Sequence, residues 1–302
     1  MRFLTTTALA IVTATSAFAW QEDYQTLRFG ILSSENEADR IQRYEGLRAY
    51  LSEALGVEVE IFTAGSYDGV IQALAADQIE IARFGSSSYA AAYTATDGGV
   101  VPFLTDLKKN GSSGYYSVLV TRCDSGIETL ADAEGKVLAF ADPDSTSGYA
   151  VPFFNLVERE GISPDTYFSA TPFSGSHEAG VQGVVNGTFD VAATYQNNEA
   201  DGIVKRMERK DMIDTGAVCN IWESPQITSG PWTARANLPE EMIADIQAAI
   251  MAVPEVDQAA YRDFTSFDPS DENPDVGFLE VDHTRYQWIV DMRQWLRDQR
   301  RG

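Results

Sequence analysis

The sequence is poor in the residues that hold metal ions. It contains only two histidines and two cysteines among 302 residues, and they lie far apart along the chain. Zinc sites gather such residues at short, regular spacings. The sequence therefore predicts no metal site and no cofactor.

Basic residues are also scarce. Lys and Arg total 22 against 45 for Asp and Glu, which gives a net charge of −23. This excess of negative charge disfavours nucleic acid and anionic membranes as partners. A small anionic ligand is compatible with it, because salt screens distant charges within about 8–10 Å. Such a ligand would need donors that lie close to it.

No apolar run is long enough to cross a membrane. Near the N-terminus, Arg2 is followed by a short run of apolar and small residues that reaches Ala17-Phe18-Ala19, the A-x-A pattern of a signal-peptide cleavage site. The sequence predicts a signal peptide over residues 1–19, cleaved near Ala19, and export to the periplasm. A membrane anchor is the alternative, which the shortness of the run and its Thr and Ser content disfavour.

The two cysteines, Cys123 and Cys219, would meet oxidising conditions after export. Thiols in such compartments are more often bridged than free. The sequence predicts a Cys123–Cys219 disulfide, and two buried thiols are the alternative.

One stretch carries three consecutive hydroxyls between a predicted strand, residues 136–140, and a predicted helix, residues 151–160. The N–H groups of a first helical turn have no internal partner, and the helix dipole adds positive charge there. Ser145, Thr146 and Ser147 could therefore complete an anion site that needs no Lys or Arg. An ordinary helix cap is the alternative, and the three residues alone do not decide between them.

Strands and helices alternate along most of the chain, which predicts an α/β fold. Two such units are joined by two candidate crossing strands, near residues 114–122 and 224–231. We predict two lobes that close on a ligand, with residues 20–116 and 226–302 in lobe 1 and residues 117–225 in lobe 2. Ligands of α/β sheets bind beyond strand ends, which favours the anion site over the cap. Polar turns lie at those ends: residues 33–36, 64–69, 85–89, 142–148, 174–178 and 194–199.

Several short motifs point to one family. They are Phe29-Gly30-Ile31, Tyr67-Asp68-Gly69-Val70-Ile71, Ile81-Ala82-Arg83-Phe84-Gly85, Gly114-Tyr115-Tyr116-Ser117-Val118-Leu119, Asp142-Pro143-Asp144-Ser145-Thr146-Ser147-Gly148, His177-Glu178, Phe189-Asp190-Val191-Ala192 and Ile221-Trp222-Glu223-Ser224-Pro225. Together they resemble the phosphonate-binding periplasmic proteins of ABC importers. The resemblance implies a type II, Venus-flytrap fold with two crossing strands as its hinge. It also implies a monomer that delivers phosphonates or related phosphorus oxyanions to an inner-membrane ABC permease.

The resemblance also implies a set of binding residues. In the family, the Ser-Thr-Ser hydroxyls and helix-start amides hold the phosphonate oxygens, and two tyrosines and a histidine complete the shell. Here these residues are Ser145, Thr146, Ser147, Tyr67, Tyr115 and His177. We expect neutral dipoles to form this site, with at most one titrating cation, His177, and with Arg83 inside a strand whose neighbours look buried. Alternatively, His177 is a loop residue that caps the helix beginning at Ala179, and the two tyrosines are partly buried for aromatic packing alone.

The sequence departs from family members that take 2-aminoethylphosphonate. Those members place a Glu and an Asp against the ligand's ammonium, and the nearest positions here are Asn197 and Gly230. Tyr195 and Trp232 add aromatic rings nearby, and Glu199 could replace the Glu only if its loop were rearranged. We therefore expect Tyr195 and Asn197 to line the site, and recognition of the oxyanion to carry over better than recognition of an amine.

Two other functions are compatible with the same residues. A serine hydrolase or phosphatase would use Ser145 or Ser147 with His177, but these serines lie in no G-x-S-x-G motif and no metal-ligand cluster accompanies them. A ligand-sensing subunit of a membrane receptor would use the same fold. We favour the binding protein, and we expect no enzymatic activity.

Overall fold

The computed structural model describes residues 19–299. The predicted signal peptide therefore lies outside the described residues, apart from Ala19. Within the described part, no helix is both long enough and apolar enough to cross a membrane.

The described chain alternates strands with helices. The strands are β1 Thr26–Ile31, β2 Glu58–Phe62, β3 Ile81–Arg83, β4 Val100–Lys108, β5 Gly114–Arg122, β6 Leu138–Ala139, β7 Val191–Asn198, β8 Asp201–Gly202, β9 Val218–Glu223, β10 Ile227–Thr228, β11 Trp232–Arg235 and β12 Asp275–Glu280. The α-helices are α1 Glu37–Leu55, α2 Tyr67–Ala75, α3 Ser86–Ala95, α4 Val151–Glu158, α5 Pro164–Tyr167, α6 His177–Val185, α7 Ile203–Arg209, α8 Glu240–Val256, α9 Gln258–Thr265 and α10 Gln287–Gln299.

The strands form two sheets. In the first sheet the order is β12-β4-β11-β3-β1-β2, and β1 runs parallel to both β2 and β3. In the second sheet the order is β10-β5-β7-β6, with β8 on β7 and β9 on β5. The α/β architecture expected from the alternating pattern is confirmed. Antiparallel strands β11 and β12 complete the first sheet from the C-terminal part of the chain.

The chain passes between the sheets in short segments rather than in long strands. Strand β5 pairs only with strands of the second sheet, and β10 pairs with it there. Residues 109–113 lead from β4 of the first sheet to β5 of the second, and residues 229–231 lead back from β10 to β11.

Helix α1 shows how sequence pattern builds the first unit. Its buried residues include Tyr44, Leu47, Leu51 and Leu55, which share one face because they are spaced three or four apart. Asn36 caps its start by accepting a hydrogen bond from the Asp39 amide at 3.0 Å. Gly56 ends it in the left-handed region at φ 67°, where glycine avoids a steric penalty.

Helix α10 contacts both units. Its Arg293 donates Nη2 to Asp144 Oδ1 at 2.7 Å in the second unit and Nη1 to Ser87 Oγ at 2.8 Å in the first. The ring of Trp295 meets that of Phe154 edge-on, with centroids 5.0 Å apart. The C-terminal helix thus lies across the junction close to the predicted hydroxyl site.

The structure joins Cys123 and Cys219 by a disulfide, the pairing that the sequence predicts. Cys123 directly follows β5, and Cys219 lies on its partner β9, so the bridge lies at one end of this strand pair of the second sheet. The bridge closes a loop with a sequence separation of 96 residues.

Candidate functional site: a cavity between the two sheets

A cavity of about 180 Å³ lies between the two units. Each of the six predicted polar turns contributes to its wall, through Ser34, Tyr67, Gly85, Ser145, His177 and Asn197. Strand ends of each sheet therefore converge on one space, as the α/β pattern predicts. All eight predicted ligand-contacting residues line this cavity: Tyr67, Tyr115, Ser145, Thr146, Ser147, His177, Tyr195 and Asn197.

The three consecutive hydroxyls lie at a helix start. Residues Thr146–Ala150 form a π-helical turn that continues directly into α4, and Ser145 caps it by accepting from the Gly148 amide at 3.0 Å. The three residues are only 1–3% exposed. Gly148 permits this packing, since a Cβ there would lie 2.9 Å from His177 Cε1 and 2.4 Å from Ala141 Cβ.

Thr146 also connects the two units. Its Oγ1 accepts a hydrogen bond from the Ser87 amide at 2.8 Å, and that amide belongs to the first turn of α3. Gly85 lies against the same oxygen, because a Cβ there would lie 2.9 Å from Thr146 Oγ1. Two helix starts, one from each unit, therefore point into the same part of the cavity.

Two phenols lie beside the hydroxyls, one buried and one half-buried. Tyr67 lies next to Ser145, and Tyr115 lies next to Thr146 and Ser147. Burial raises the pKa of Tyr115 to about 12 and raises the pKa of Tyr67 well above its usual value. Both phenols therefore keep their protons at neutral pH and can donate hydrogen bonds to an anion.

His177 is held between two hydroxyls. Its Nε2 lies 3.2 Å from Ser145 Oγ, and its Nδ1 lies 3.0 Å from Thr194 Oγ1. It does not cap its helix, because Ser176 Oγ accepts from the Ala179 amide at 3.0 Å. Burial lowers the pKa of His177 to about 3. The structure therefore gives no support for His177 as a titrating cation: this imidazole is neutral at physiological pH because its charged form would be desolvated.

The low pKa of His177 predicts how stability changes with pH. Only the unfolded chain takes up this proton between pH 6.5 and about 3, so the folded state loses stability as pH falls through that window. The loss is at most about 1.4 kcal/mol per pH unit. We expect His177→Gln to lower this slope in urea unfolding measured at pH 4.5 to 6.5. His283→Gln, which removes the other histidine, is the control. Equal slopes in wild type and His177→Gln would contradict the assignment.

The cavity wall also contains ionised side chains that the sequence analysis did not include. They are Arg43, Arg83, Asp106, Lys108, Arg206 and Asp275, and we call this set the charged wall. The expectation that Arg83 is shut inside its strand is wrong, since Arg83 lines the cavity and forms an ion pair with Asp106. The site is therefore not built from neutral dipoles alone.

The four positions considered for amine recognition lie in different surroundings. Asn197 lines the cavity and donates Nδ2 to Asp201 Oδ2. Gly230 also lines it, and a Cβ there would lie 2.1 Å from the Phe84 carbonyl oxygen, so the backbone leaves no room for a side chain. Glu199 lines a different pocket and does not replace the missing Glu. Trp232 is fully buried against Phe29, with ring centroids 5.1 Å apart, and does not reach the site.

The two α/β units with a polar cavity between them define a type II periplasmic binding protein. The profile described as "ABC transporter, phosphonate, periplasmic substrate-binding protein" matches residues 29–273. The chain belongs to this family. The family resemblance inferred from the motifs is thereby confirmed.

Individual relatives agree with this assignment. The chain is 32% identical over 239 residues to the "Phosphonates-binding periplasmic protein" of Escherichia coli strain K12, covering 78% of this chain and 68% of that protein. It is similar to the solved binding component of an ABC phosphonate transporter from Pseudomonas aeruginosa, with a TM-score of 0.76 and 26% identity, covering 89% and 86% of the two chains. A protein from Prochlorococcus marinus in complex with methylphosphonate shares the fold, with a TM-score of 0.77 and 18% identity, covering 90% and 98%.

Proposed function

We propose that this protein captures small phosphonates or related phosphorus oxyanions in the inter-lobe cavity and presents them, as a monomer, to an ABC permease in the inner membrane. We place it in the periplasm after cleavage near Ala19. One observation carries the proposal. Ser145, Thr146 and Ser147 line a single cavity with Tyr67, Tyr115 and His177, although these residues come from distant parts of the sequence.

The chemistry of these groups suits an oxyanion. Hydroxyls, phenols and helix-start amides donate hydrogen bonds without bringing their own charge, and bonds to a charged acceptor are stronger than neutral ones. Neutral His177 can still donate from one ring nitrogen. The cavity of about 180 Å³ has room for a compact ligand.

The Ser145–His177 pair also raises the possibility of hydrolysis, and we infer that it does not act in this way. A general base works best when its pKa lies near the operating pH, whereas burial lowers the pKa of His177 to about 3. Its second nitrogen faces Thr194 rather than a carboxylate that would stabilise the imidazolium. Incubation with p-nitrophenyl esters and phosphates should release no p-nitrophenol.

Ligand class is tested most directly on the purified protein. Native mass spectrometry would show any ligand retained through purification. A thermal shift panel of methylphosphonate, phosphite and phosphate should then raise the melting temperature, because a ligand that binds only the folded state stabilises it. The proposal fails if no phosphorus oxyanion shifts the melting temperature at millimolar concentration.

We further propose that the lobes comprise residues 20–116 with 226–302, and 117–225, and that they close about the two crossings. Polar contacts across the cleft support this. Lys210 Nζ lies 2.6 Å from Asp39 Oδ2, Arg209 Nη1 lies 2.9 Å from Asp268 Oδ2, and Asn198 Nδ2 lies 3.0 Å from Asp271 Oδ1.

Closure should be visible in solution. These contacts join elements of different sheets, so they form only when the lobes approach each other. We expect small-angle scattering to show a smaller radius of gyration with saturating methylphosphonate than without it. Lys210→Gln removes one exposed ion pair across the cleft. Without ligand, its radius of gyration should therefore be no smaller than that of the wild-type protein. An unchanged radius on ligand addition would count against the hinge.

A further inference from the structure

The charged wall belongs to the same cavity as the hydroxyls but is separate from them. None of its six side chains hydrogen bonds to Ser145, Thr146 or Ser147 in the described part of the chain. If the hydroxyls hold a phosphonate group, the wall therefore faces the remainder of the ligand. Its charges decide what that remainder can be.

The wall has the opposite sign to the protein as a whole. Arg43, Arg83, Lys108 and Arg206 give four positive charges, and Asp106 and Asp275 give two negative ones. The chain as a whole carries −23. Burial beside Asp106 raises the pKa of Asp275 to about 6, which reduces its negative charge further in mildly acidic conditions. Glu35 and Asp201, which pair with Arg43 and Arg206 from outside the wall, offset part of this charge, so the surplus of cations that favours an anion is confined to the cavity surface.

Three of the four cations already have partners. Arg83 pairs with Asp106 and donates Nη1 to the Tyr44 hydroxyl at 3.0 Å. Lys108 Nζ lies 3.2 Å from Asp275 Oδ1, and Arg43 pairs with Glu35 behind the wall. The hydrogen-bonding capacity of these three side chains is thus partly used by the protein.

Arg206 is different. Its side chain is only 13% exposed, and its closest acid is Asp201, whose Oδ1 lies 3.6 Å from Nε, beyond hydrogen-bonding distance. It donates no hydrogen bond to any acceptor within residues 19–299, and its buried Nε is unpartnered. The Oδ1 of Asp201 faces this Nε as a long ion pair and is likewise buried without a hydrogen bond, whereas its Oδ2 accepts from Asn197. The guanidinium carbon lies 5.7 Å from the ring centre of Tyr195, at the cavity wall.

A guanidinium in this state needs an acceptor. Burying a polar donor without a partner is costly, and arginine keeps its charge in proteins. Its planar set of N–H groups matches a carboxylate, which can accept two of them side by side. A carboxylate carried by the ligand would supply such an acceptor from the cavity side.

We propose that the charged wall is a subsite for a carboxylate, so that the preferred ligand is a short phosphonocarboxylate whose carboxylate binds Arg206. This rests on the proposed function, because it assumes that the phosphonate group occupies the hydroxyl end of the cavity. One acceptor on the wall would favour an ammonium instead: Asp106 Oδ1 is buried without a partner. The net positive charge of the wall and the unused donors of Arg206 outweigh it.

Calorimetric titration of the wild-type protein with four probes separates these outcomes. Methylphosphonate lacks a second group, phosphonoacetate and 3-phosphonopropionate carry a carboxylate at two spacings, and 2-aminoethylphosphonate carries an ammonium. We expect one of the carboxylates to bind about ten- to hundredfold more tightly than methylphosphonate. The inference is overturned if methylphosphonate or 2-aminoethylphosphonate binds as tightly as the better carboxylate. Failure of all four probes would overturn the proposed function as well.

A pair of variants assigns the effect to Arg206. Arg206→Gln should reduce the carboxylate's advantage over methylphosphonate to less than about threefold. Lys205→Gln is the matched control, since it removes the same charge from the adjacent residue of α7, whose side chain is 41% exposed and pairs with Glu208. An undiminished advantage in Arg206→Gln would overturn the assignment. The wild-type comparison of probes stands even if Arg206→Gln fails to fold.

Discussion

Replacing both cysteines by serine should lower the free energy of unfolding by about 2–5 kcal/mol, the range for removing a native disulfide. The Cys123–Cys219 bridge spans 96 residues and so restricts most of the second unit in the unfolded chain. Urea unfolding of the double variant, Cys123→Ser with Cys219→Ser, measures the loss directly. Adding a reductant to the wild-type protein should produce a loss of similar size.

Ligand affinity provides the control for this prediction. Neither cysteine lines the cavity, and both lie at the far end of the β5–β9 pair, beyond the residues that line it. The double variant should therefore bind methylphosphonate with wild-type affinity at temperatures where it remains folded. If both thiols of the unreduced, denatured wild-type protein react with a maleimide, the bridge is absent and the predicted loss has no basis.

The convergence of the polar turns could be predicted because it depends on local pattern and chain direction. Strands β1 and β3 are parallel, so the turns that follow them meet at one edge of the sheet. Ser34 and Gly85 come from these two turns, and both line the cavity. The hydroxyls of residues 145–147 could be predicted for the same reason, because a strand followed by a helix fixes where a helix start must point.

The charged wall could not be predicted in this way. Asp275 opens β12, which joins the first sheet from the C-terminal part of the chain and lies beside β4. Lys108 and Asp275 approach each other only through that pairing. The residues around either of them in the sequence do not predict it. Arg206 lies on a helix with other basic residues, so a solvent-facing position is the natural expectation from sequence. One local signal was available: Arg83 ends a short apolar strand just before a polar turn, where a charged side chain can turn into a cleft.

Replacing Thr146 by Val should weaken binding of methylphosphonate by about 1–3 kcal/mol, the range for losing a hydrogen bond to a charged group. Valine keeps the shape of threonine and removes only the hydroxyl. That hydroxyl lies beside Tyr115 and accepts from the Ser87 amide at 2.8 Å, so its loss also leaves a buried N–H without a partner between the units. Closure and ligand binding should weaken together, and calorimetric titration measures their combined effect.

The matched control is Thr188→Val, which makes the same change at an exposed position after α6. It should leave affinity unchanged. Because Thr146 and Tyr115 would contact one ligand, the effects of Thr146→Val and Tyr115→Phe need not add, and the double variant should lose less than the sum of the two single losses. If Thr146→Val binds methylphosphonate with wild-type affinity, the prediction is wrong, and Ser145, Thr146 and Ser147 form only an ordinary helix cap. The phosphonate group would then have to be held by the charged wall instead.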